Sequence, residues 1–222
     1  MLEPMFILQM LMSLELESQL IEYKLSKGFV SDVSKTEDSD RLVNLLINRN
    51  VNIDCLVNNV GISDENVRLS ELDVDSWRKI YDTNVVGPMY LTKLVFERMM
   101  KEKGGNIIFL SSVHQDVIRR FPSYSASKGA LKMAIQELAL ELAPYDIRVN
   151  GIAPGYTGEE EKQHQDTPLH GTSIDPKYIA RGAVFLASDY FSRHTTGTVL
   201  KIDAGLSLVN HLFYEHPPEK DL

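Results

Sequence analysis

The stretch from residue 105 to residue 155 constrains the fold of this chain more than any other part of the sequence. It begins with an apolar run at residues 107–110, whose length and β-branched content predict a buried strand. The run is followed by Ser112, which places a hydroxyl at the strand's carboxyl end, the edge at which open α/β sheets bind ligands. A second predicted strand, residues 147–152, ends just before Pro154-Gly155.

Between these strands, Tyr124 and Lys128 are four positions apart at the start of a long amphipathic segment. Residues at this spacing lie on one face of a helix, so the phenol and the ammonium point the same way. A nearby ammonium favours a phenolate, which predicts that Lys128 lowers the pKa of Tyr124. A YxxxK pair alone is weak evidence, because most such pairs lie on a helix surface. Together with Ser112 and Pro154-Gly155 it indicates acid–base chemistry on an alcohol or carbonyl oxygen.

With these motifs in order, the sequence resembles the short-chain dehydrogenase/reductase family over nearly all of residues 27–206. Within the family, the resemblance is greatest to glucose and sugar-acid dehydrogenases. The matching stretches are Asp32-Val33, Asn58-Asn59-Val60-Gly61, Asn84, Ser112, Tyr124 to Lys128, residues 147–150, Pro154-Gly155 and the TGTVLKIDAG run at residues 196–205.

The resemblance implies an α/β fold with a doubly wound, mostly parallel, Rossmann-like sheet and helices on both faces. We expect one domain over residues 1–210 and a tail over residues 211–222. Family members open with a strand and a glycine-rich loop that holds the cofactor's pyrophosphate, but residues 1–27 contain no glycine. The fold is therefore predicted to lack the first strand and the glycine loop, although residues 6–12 could fill an empty strand position.

Three explanations for that difference stay open on the sequence. The chain could be a truncated gene product or splice form, its start could be wrongly assigned, or the protein could have abandoned the cofactor.

The resemblance also implies a role for each matching residue. Tyr124 is the general acid/base, Lys128 lowers its pKa and holds the nicotinamide ribose, Ser112 orients the reacting oxygen, and Asn84 supports a proton relay. The cofactor, NAD or NADP, is expected to contact Asp32, Val33, Asn59, Val60, Gly61, Tyr124, Lys128, Pro154, Gly155 and Thr157.

Three details depart from the family pattern or stay open. Tyr124 follows Ser112 by 12 residues, one fewer than usual, so Ser111 is an alternative to Ser112. Thr157 lies closer to Gly155 than the family's usual threonine. His114 is expected either to line the substrate pocket or to cap the loop.

Composition excludes several other functions. The formal charge of −8 argues against nucleic-acid binding. The single cysteine, Cys55, fits a reducing compartment, and we expect a cytoplasmic protein. The apolar amino terminus is too short to span a membrane as a helix. His164, Asp166 and His170 are interpreted as loop residues, so no metal site is predicted.

Periodicity predicts the remaining elements. The predicted strands are at residues 28–30, 53–57 and 198–202. The predicted helices are an amphipathic helix at residues 13–24, a helix at 41–46, a helix that runs from an N-cap at Asp75 towards residue 103, and a helix that starts at Pro176.

The expected activity is the interconversion of a secondary alcohol or sugar hydroxyl and a carbonyl by hydride transfer with NAD(P), on a small-molecule substrate. By resemblance, the protein forms a homo-oligomer, either a dimer or a tetramer. The alternative is a truncated, cofactor-less paralogue that acts only as a partner subunit or has no activity.

Overall fold

A computed structural model describes the backbone of residues 6–9 and the whole of residues 28–63, 68–158 and 167–209. These residues form a five-stranded parallel sheet in the order β1 to β5. The strands are β1 (Phe6–Gln9), β2 (Cys55–Asn58), β3 (Gly105–Leu110), β4 (Ile147–Pro154) and β5 (Val199–Ile202). The parallel, Rossmann-like α/β class predicted from sequence is confirmed.

Strand register aligns the carboxyl ends of the central strands. Asn58 pairs with Phe109 and Phe109 pairs with Gly151, so β2, β3 and β4 end at one edge of the sheet. The predicted use of residues 6–12 as a strand agrees with β1, which pairs with β2 from Phe6↔Cys55 to Gln9↔Asn58. Parallel strands need crossover connections, and the helices described below supply them.

Helices cover both faces of the sheet, as a doubly wound fold requires. They are α1 (Thr36–Asn48), α2 (Val74–Tyr81), α3 (Gly87–Val95), α4 (Pro122–Leu142), α5 (Pro176–Ala187) and α6 (Asp189–Ser192). Alternate strand residues separate two cores. Leu56, Ile107 and Phe109 pack against α1, α3 and α4. Their neighbours Val57, Ile108 and Leu110 belong to a second cluster that includes residues of α5.

The helix predicted to run towards residue 103 is interrupted twice by π-helical segments, Asp82–Val86 and Phe96–Met100. Its N-cap is Asp73 and not Asp75, because the Asp73 carboxylate accepts hydrogen bonds from the backbone N–H groups of Asp75 and Ser76. The predicted start at Pro176 is confirmed, with Asp175 as the N-cap.

The predicted strand at residues 28–30 is wrong. No described strand pairs with this run, and Val30 is 92% exposed. A strand needs a hydrogen-bonding neighbour, and an apolar triplet alone does not supply one. The helix predicted at residues 41–46 lies within the longer α1.

Three predictions fall outside the described residues: the helix at 13–24, the polar loop containing His164 and Asp166, and the tail at 211–222. None of the described helices is long and apolar enough to cross a membrane.

Candidate active site

Ser112 and Tyr124 meet above the carboxyl end of β3. Ser112 is buried two residues after the strand ends. Tyr124 lies in the first turn of α4, which begins at Pro122, a residue suited to a helix start. The Ser112 hydroxyl and the Tyr124 phenol line the same cavity, and hydrogen bonding from Ser112 lowers the pKa of the phenol. The shortened loop between them therefore does not pull Ser112 away from Tyr124.

Ser111, the alternative serine, has a different contact. Its hydroxyl donates to the backbone carbonyl of Lys128 over 3.2 Å, inside the core. This bond ties the end of β3 to the first turns of α4. Ser111 is occupied in positioning the helix, which leaves Ser112 as the serine beside the phenol.

Lys128 lies one helical turn beyond Tyr124, and only 3% of its surface is exposed. Its ammonium donates a 2.7 Å hydrogen bond to the carbonyl of Leu110, the last residue of β3. Its Nζ lies 5.6 Å from the centre of the Tyr124 ring. Burial lowers the pKa of Lys128 to about 8, because removing an ammonium from water disfavours its charged form.

The predicted effect of Lys128 on Tyr124 is not the dominant one. Burial raises the pKa of the Tyr124 phenol, and the hydrogen bond from Ser112 lowers it only in part. The reason is that the phenolate loses more solvation than one hydroxyl restores. At neutral pH the site therefore holds a protonated phenol beside a largely protonated ammonium.

Asn84 lies in the π-helical segment Asp82–Val86 and is fully buried. Its side-chain oxygen accepts from the Ile62 N–H over 2.8 Å, and its amide donates to the Ile62 carbonyl and the Ser127 hydroxyl. These bonds fix the loop after β2 against α4. The loop includes Gly61, where an added Cβ would lie 3.3 Å from Lys128 Nζ.

A cavity of about 160 Å³ opens beside the phenol. Its wall contains five residues predicted as site residues: Ser112, His114, Tyr124, Gly155 and Thr157. The remaining lining residues are Val113, Arg119, Tyr156 and Leu206.

His114 is positioned in this wall by its neighbours. Its Nδ1 lies 3.1 Å from the Ser125 hydroxyl, and its ring packs edge-on against Tyr124 and Phe121. Of the two roles predicted for His114, lining the cavity is the one this position fits.

Pro154 ends β4, and Gly155 follows it at the sheet edge. Gly155 donates its N–H to the Ile202 carbonyl, and an added Cβ would lie 2.9 Å from Asp203 Cα. This close approach of two backbones requires a glycine. The exposed Thr157 hydroxyl donates to the Gly155 carbonyl over 3.3 Å.

The residues predicted to lie near the adenine occupy a separate position. Asp32 accepts hydrogen bonds from the backbone and hydroxyl of Ser34, and Lys35 lies within ion-pair distance. These contacts hold the pKa of Asp32 below its usual value. Val33 is buried, and its carbonyl packs against Gly87, three residues after Asn84. In the loop after β2, Val60 is buried and Asn59 is exposed.

Arg119 was not identified from sequence. It lines the cavity, with its guanidinium 5.8 Å from the centre of the Tyr156 ring. The signal in the sequence was the pair Arg119-Arg120 in the loop between the serine and the tyrosine.

A larger cavity of about 390 Å³ lies on the other side of the α4 start. Trp77, Asp73, Lys79 and Pro122 are among its lining residues. None of the predicted catalytic residues lines it, so we place the chemistry in the smaller cavity.

Comparison with known proteins agrees with this geometry. A family model described as Enoyl-(Acyl carrier protein) reductase matches residues 15–207. The chain is 34% identical over 191 residues to Glucose 1-dehydrogenase 2 of Bacillus subtilis (strain 168), covering 80% of this chain and 73% of the relative. It is 30% identical over 209 residues to 2-dehydro-3-deoxy-D-gluconate 5-dehydrogenase of Formosa agariphila, covering 86% and 78%.

Among solved structures, a gluconate 5-dehydrogenase from Burkholderia cenocepacia J2315, in complex with NADP and tartrate, aligns with a TM-score of 0.74. It is 28% identical, and the alignment covers 81% of this chain and 74% of that one. The chain belongs to the short-chain dehydrogenase/reductase family, and by this relationship it is an oxidoreductase.

Proposed function

We propose that this protein interconverts a secondary alcohol, or a sugar hydroxyl, and the corresponding carbonyl by hydride transfer with NAD or NADP. The observation that carries the proposal is the cluster at the end of β3. There the Tyr124 phenol lies beside Ser112 at the wall of one cavity and next to the buried Lys128 ammonium.

The residues around Lys128 fit the nicotinamide end of such a cofactor. An ammonium has three N–H donors, and one of them binds the Leu110 carbonyl. The remaining donors suit ribose hydroxyls. Gly61 has no side chain above this ammonium, so the backbone after β2 comes close to it. When bound, the cofactor accepts or supplies the hydride, because no side chain can do so.

Asp32 and Val33 would hold the adenine end, together with Asn59, Val60 and Gly61. Pro154, Gly155 and Thr157 would contact the nicotinamide side at the edge of the sheet. The sequence supplies no glycine cluster for the pyrophosphate, since its first glycine is Gly28.

The chain's own residues handle the proton. In the direction of reduction, Tyr124 donates its phenolic proton to the carbonyl oxygen while the carbon receives the hydride. In oxidation, the phenolate removes the proton from the alcohol. Ser112 holds that oxygen beside the phenol, and Asn84 maintains the Lys128 side of the site through its bonds to Ile62 and Ser127.

The names of the relatives do not identify a single substrate class. One is named for glucose, a neutral sugar, and another for 2-dehydro-3-deoxy-D-gluconate, a sugar acid. A sugar-like small molecule is therefore the substrate class we propose at this level, with His114 in the substrate wall.

We also propose a single domain over residues 1–210 that works in the cytoplasm as a homo-oligomer. Apolar side chains exposed on α4 and on α5–α6 favour association, among them Leu140, Phe191 and Tyr190. The buried free thiol of Cys55 fits a reducing compartment.

A second candidate is a cofactor-less paralogue that acts only as a partner subunit. The observation that favours it is the absence of glycine from residues 1–27. Such a chain would keep the Tyr124 cluster without using it.

The test is a Tyr124→Phe variant assayed on sugars and alcohols with NAD and NADP. Loss of the proton donor should reduce kcat about 100-fold to 10,000-fold while the fold is retained. Tyr145→Phe, three residues beyond the end of α4 and outside both cavities, is the matched control and should retain full activity. Turnover that Tyr124→Phe leaves unchanged would exclude the mechanism, and a wild-type protein without turnover would favour the second candidate.

A further inference from the structure

The cavity beside Tyr124 contains one charged side chain among its described lining residues, that of Arg119. The other polar groups in the wall are the hydroxyls of Ser112, Tyr124, Tyr156 and Thr157 and the His114 ring. No aspartate or glutamate belongs to the described wall. The described part of the wall therefore offers several polar groups, with a positive group on one side.

Arg119 lies at the cavity wall, within a loop that has an unusual backbone conformation at the next residue. Arg120, the next residue, has a φ of 61°, in the left-handed region that costs a side-chain-bearing residue about 1 kcal/mol or more. Arg120 is exposed, whereas Arg119 is partly buried and reaches the cavity. The two adjacent arginines thus occupy different environments, and the chain bends sharply between Arg119 and Tyr124.

The Arg119 guanidinium has unused hydrogen-bonding capacity. Its Nε is buried and has no hydrogen-bond partner among the described residues. Among the same residues, no carboxylate forms an ion pair with Arg119. Asp116, the nearest acidic residue along the loop, is bound instead to Lys132 and Lys201. A buried donor without a partner costs free energy until a ligand supplies an acceptor.

A guanidinium recognises carboxylates in particular, because its planar set of N–H donors matches two carboxylate oxygens. A neutral polyol leaves such a group with weaker acceptors. We propose that Arg119 binds the carboxylate of the substrate, so that the cavity selects hydroxy acids of the sugar-acid type over neutral sugars. This proposal rests on the proposed function, because the hydroxyl to be oxidised must lie at Ser112 and Tyr124.

Matched ligands isolate the carboxylate. D-gluconate and D-glucitol differ only in that a carboxylate replaces a CH₂OH group at one end. L-tartrate and L-threitol form a second, shorter pair, in which carboxylates replace the CH₂OH groups at both ends. We would measure binding of all four by titration calorimetry, with and without NADP, and KM for the turned-over substrates. The variants are Arg119→Gln and Arg119→Lys, with Arg120→Gln as the matched control that removes the same charge one residue later.

The wild-type protein should bind at least one acid tenfold or more tightly than its matched polyol. Arg119→Gln should weaken acid binding about 10-fold to 100-fold and leave polyol binding unchanged, the size expected for a charged hydrogen bond. Arg119→Lys should retain part of the preference, because it keeps the charge without the planar donor set. Arg120→Gln should behave like the wild type.

The proposal is overturned if neither acid binds better than its polyol, or if Arg119→Gln and Arg120→Gln weaken acid binding equally. Calorimetry needs no turnover, so the outcome is separable from that of the proposed function. Equal KM values for acid and polyol in an active enzyme would keep the oxidoreductase and remove the role of Arg119. Acid-selective binding in a protein without turnover would keep the role of Arg119 and remove the proposed oxidoreductase activity.

Discussion

The two ends of the candidate cofactor site are built in different ways. At the Tyr124 end, buried hydrogen bonds connect separate elements: Lys128 to the end of β3, and Asn84 to the loop after β2 and to α4. At the Asp32 end, the described contacts of the partly exposed carboxylate are local, since it accepts from Ser34 and pairs with Lys35. The Asp32 backbone N–H donates to the Asp38 carboxylate. The first end is fixed by the core of the fold, and the second depends mainly on local contacts.

The Tyr124 end contains a functional group that lowers the stability of the fold. A buried ammonium at the Tyr124 end opposes folding, because the unfolded chain solvates that charge. The two ends meet at Gly87, the first residue of α3. Because Gly87 has no side chain, the Val33 carbonyl can pack against α3.

Among the changes that compare the two ends, the largest effect should come from replacing Lys128 with methionine. Activity should fall at least 100-fold, because the variant lacks the ammonium that we place at the ribose. The folded-state pKa of Lys128 is lowered to about 8, so the buried charge destabilises the protein most below pH 8 and not at all above the ordinary lysine pKa.

Lys128→Met should therefore raise the free energy of unfolding by about 1–3 kcal/mol at pH 7. The gain should shrink as pH rises from about 8 towards the ordinary lysine value. Urea titrations across this pH range measure it. A variant that is less stable than the wild type at pH 7 would contradict the claim that the buried Lys128 ammonium destabilises the folded protein.

A smaller effect is expected at the joint between the two ends. In Gly87→Ala the new Cβ would lie 2.3 Å from the Val33 carbonyl oxygen, so the backbone must move, at a cost of about 1–3 kcal/mol. Gly129→Ala is the control, because its Cβ would meet no atom within 4 Å inside α4.

Gly129→Ala should increase stability by up to about 1 kcal/mol, since alanine favours a helix over glycine. Chemical denaturation of both variants tests the pair. If Gly87→Ala is as stable as Gly129→Ala, the packing of Val33 on α3 does not hold the Asp32 end in place.

The smallest effect concerns pH. Reduction requires both Lys128 and Tyr124 in their protonated forms. Burial raises the pKa of Tyr124, so Lys128, with a pKa of about 8, is the first of the two to lose its proton as pH rises. The rate of carbonyl reduction should therefore fall to about half between pH 7 and pH 8. A rate that is constant over this range, measured at substrate concentrations well below KM, would contradict the role of Lys128.

Sequence reasoning recovered most of the Tyr124 end, for a physical reason. Ser112, Tyr124 and Lys128 lie at a strand end and on one helix face, and those positions follow from periodicity. The choice between Ser111 and Ser112 depended on loop geometry, which spacing alone does not determine. In the structure Ser111 bonds to the Lys128 carbonyl, whereas Ser112 lies at the cavity wall with Tyr124, which favours Ser112.

Other features required tertiary contacts. The π-helical segment at Asn84 depends on its bonds to Ile62 and Ser127, which are distant in sequence. The direction of the Tyr124 pKa depends on burial, which opposes the effect expected from a neighbouring lysine. Arg119 was missed because two adjacent arginines in a loop do not reveal from sequence which of them reaches the cavity.

The most direct measurement is thermal unfolding of the purified chain with millimolar NAD, NADH, NADP or NADPH. A ligand at 100 times its dissociation constant stabilises by about 2.7 kcal/mol, which for a chain of this size raises the midpoint by roughly 5–10 °C. We predict such a rise with at least one cofactor, and its reduction in Lys128→Met. A cooperative transition that none of the four cofactors moves would contradict an NAD(P)-dependent enzyme and support the cofactor-less alternative.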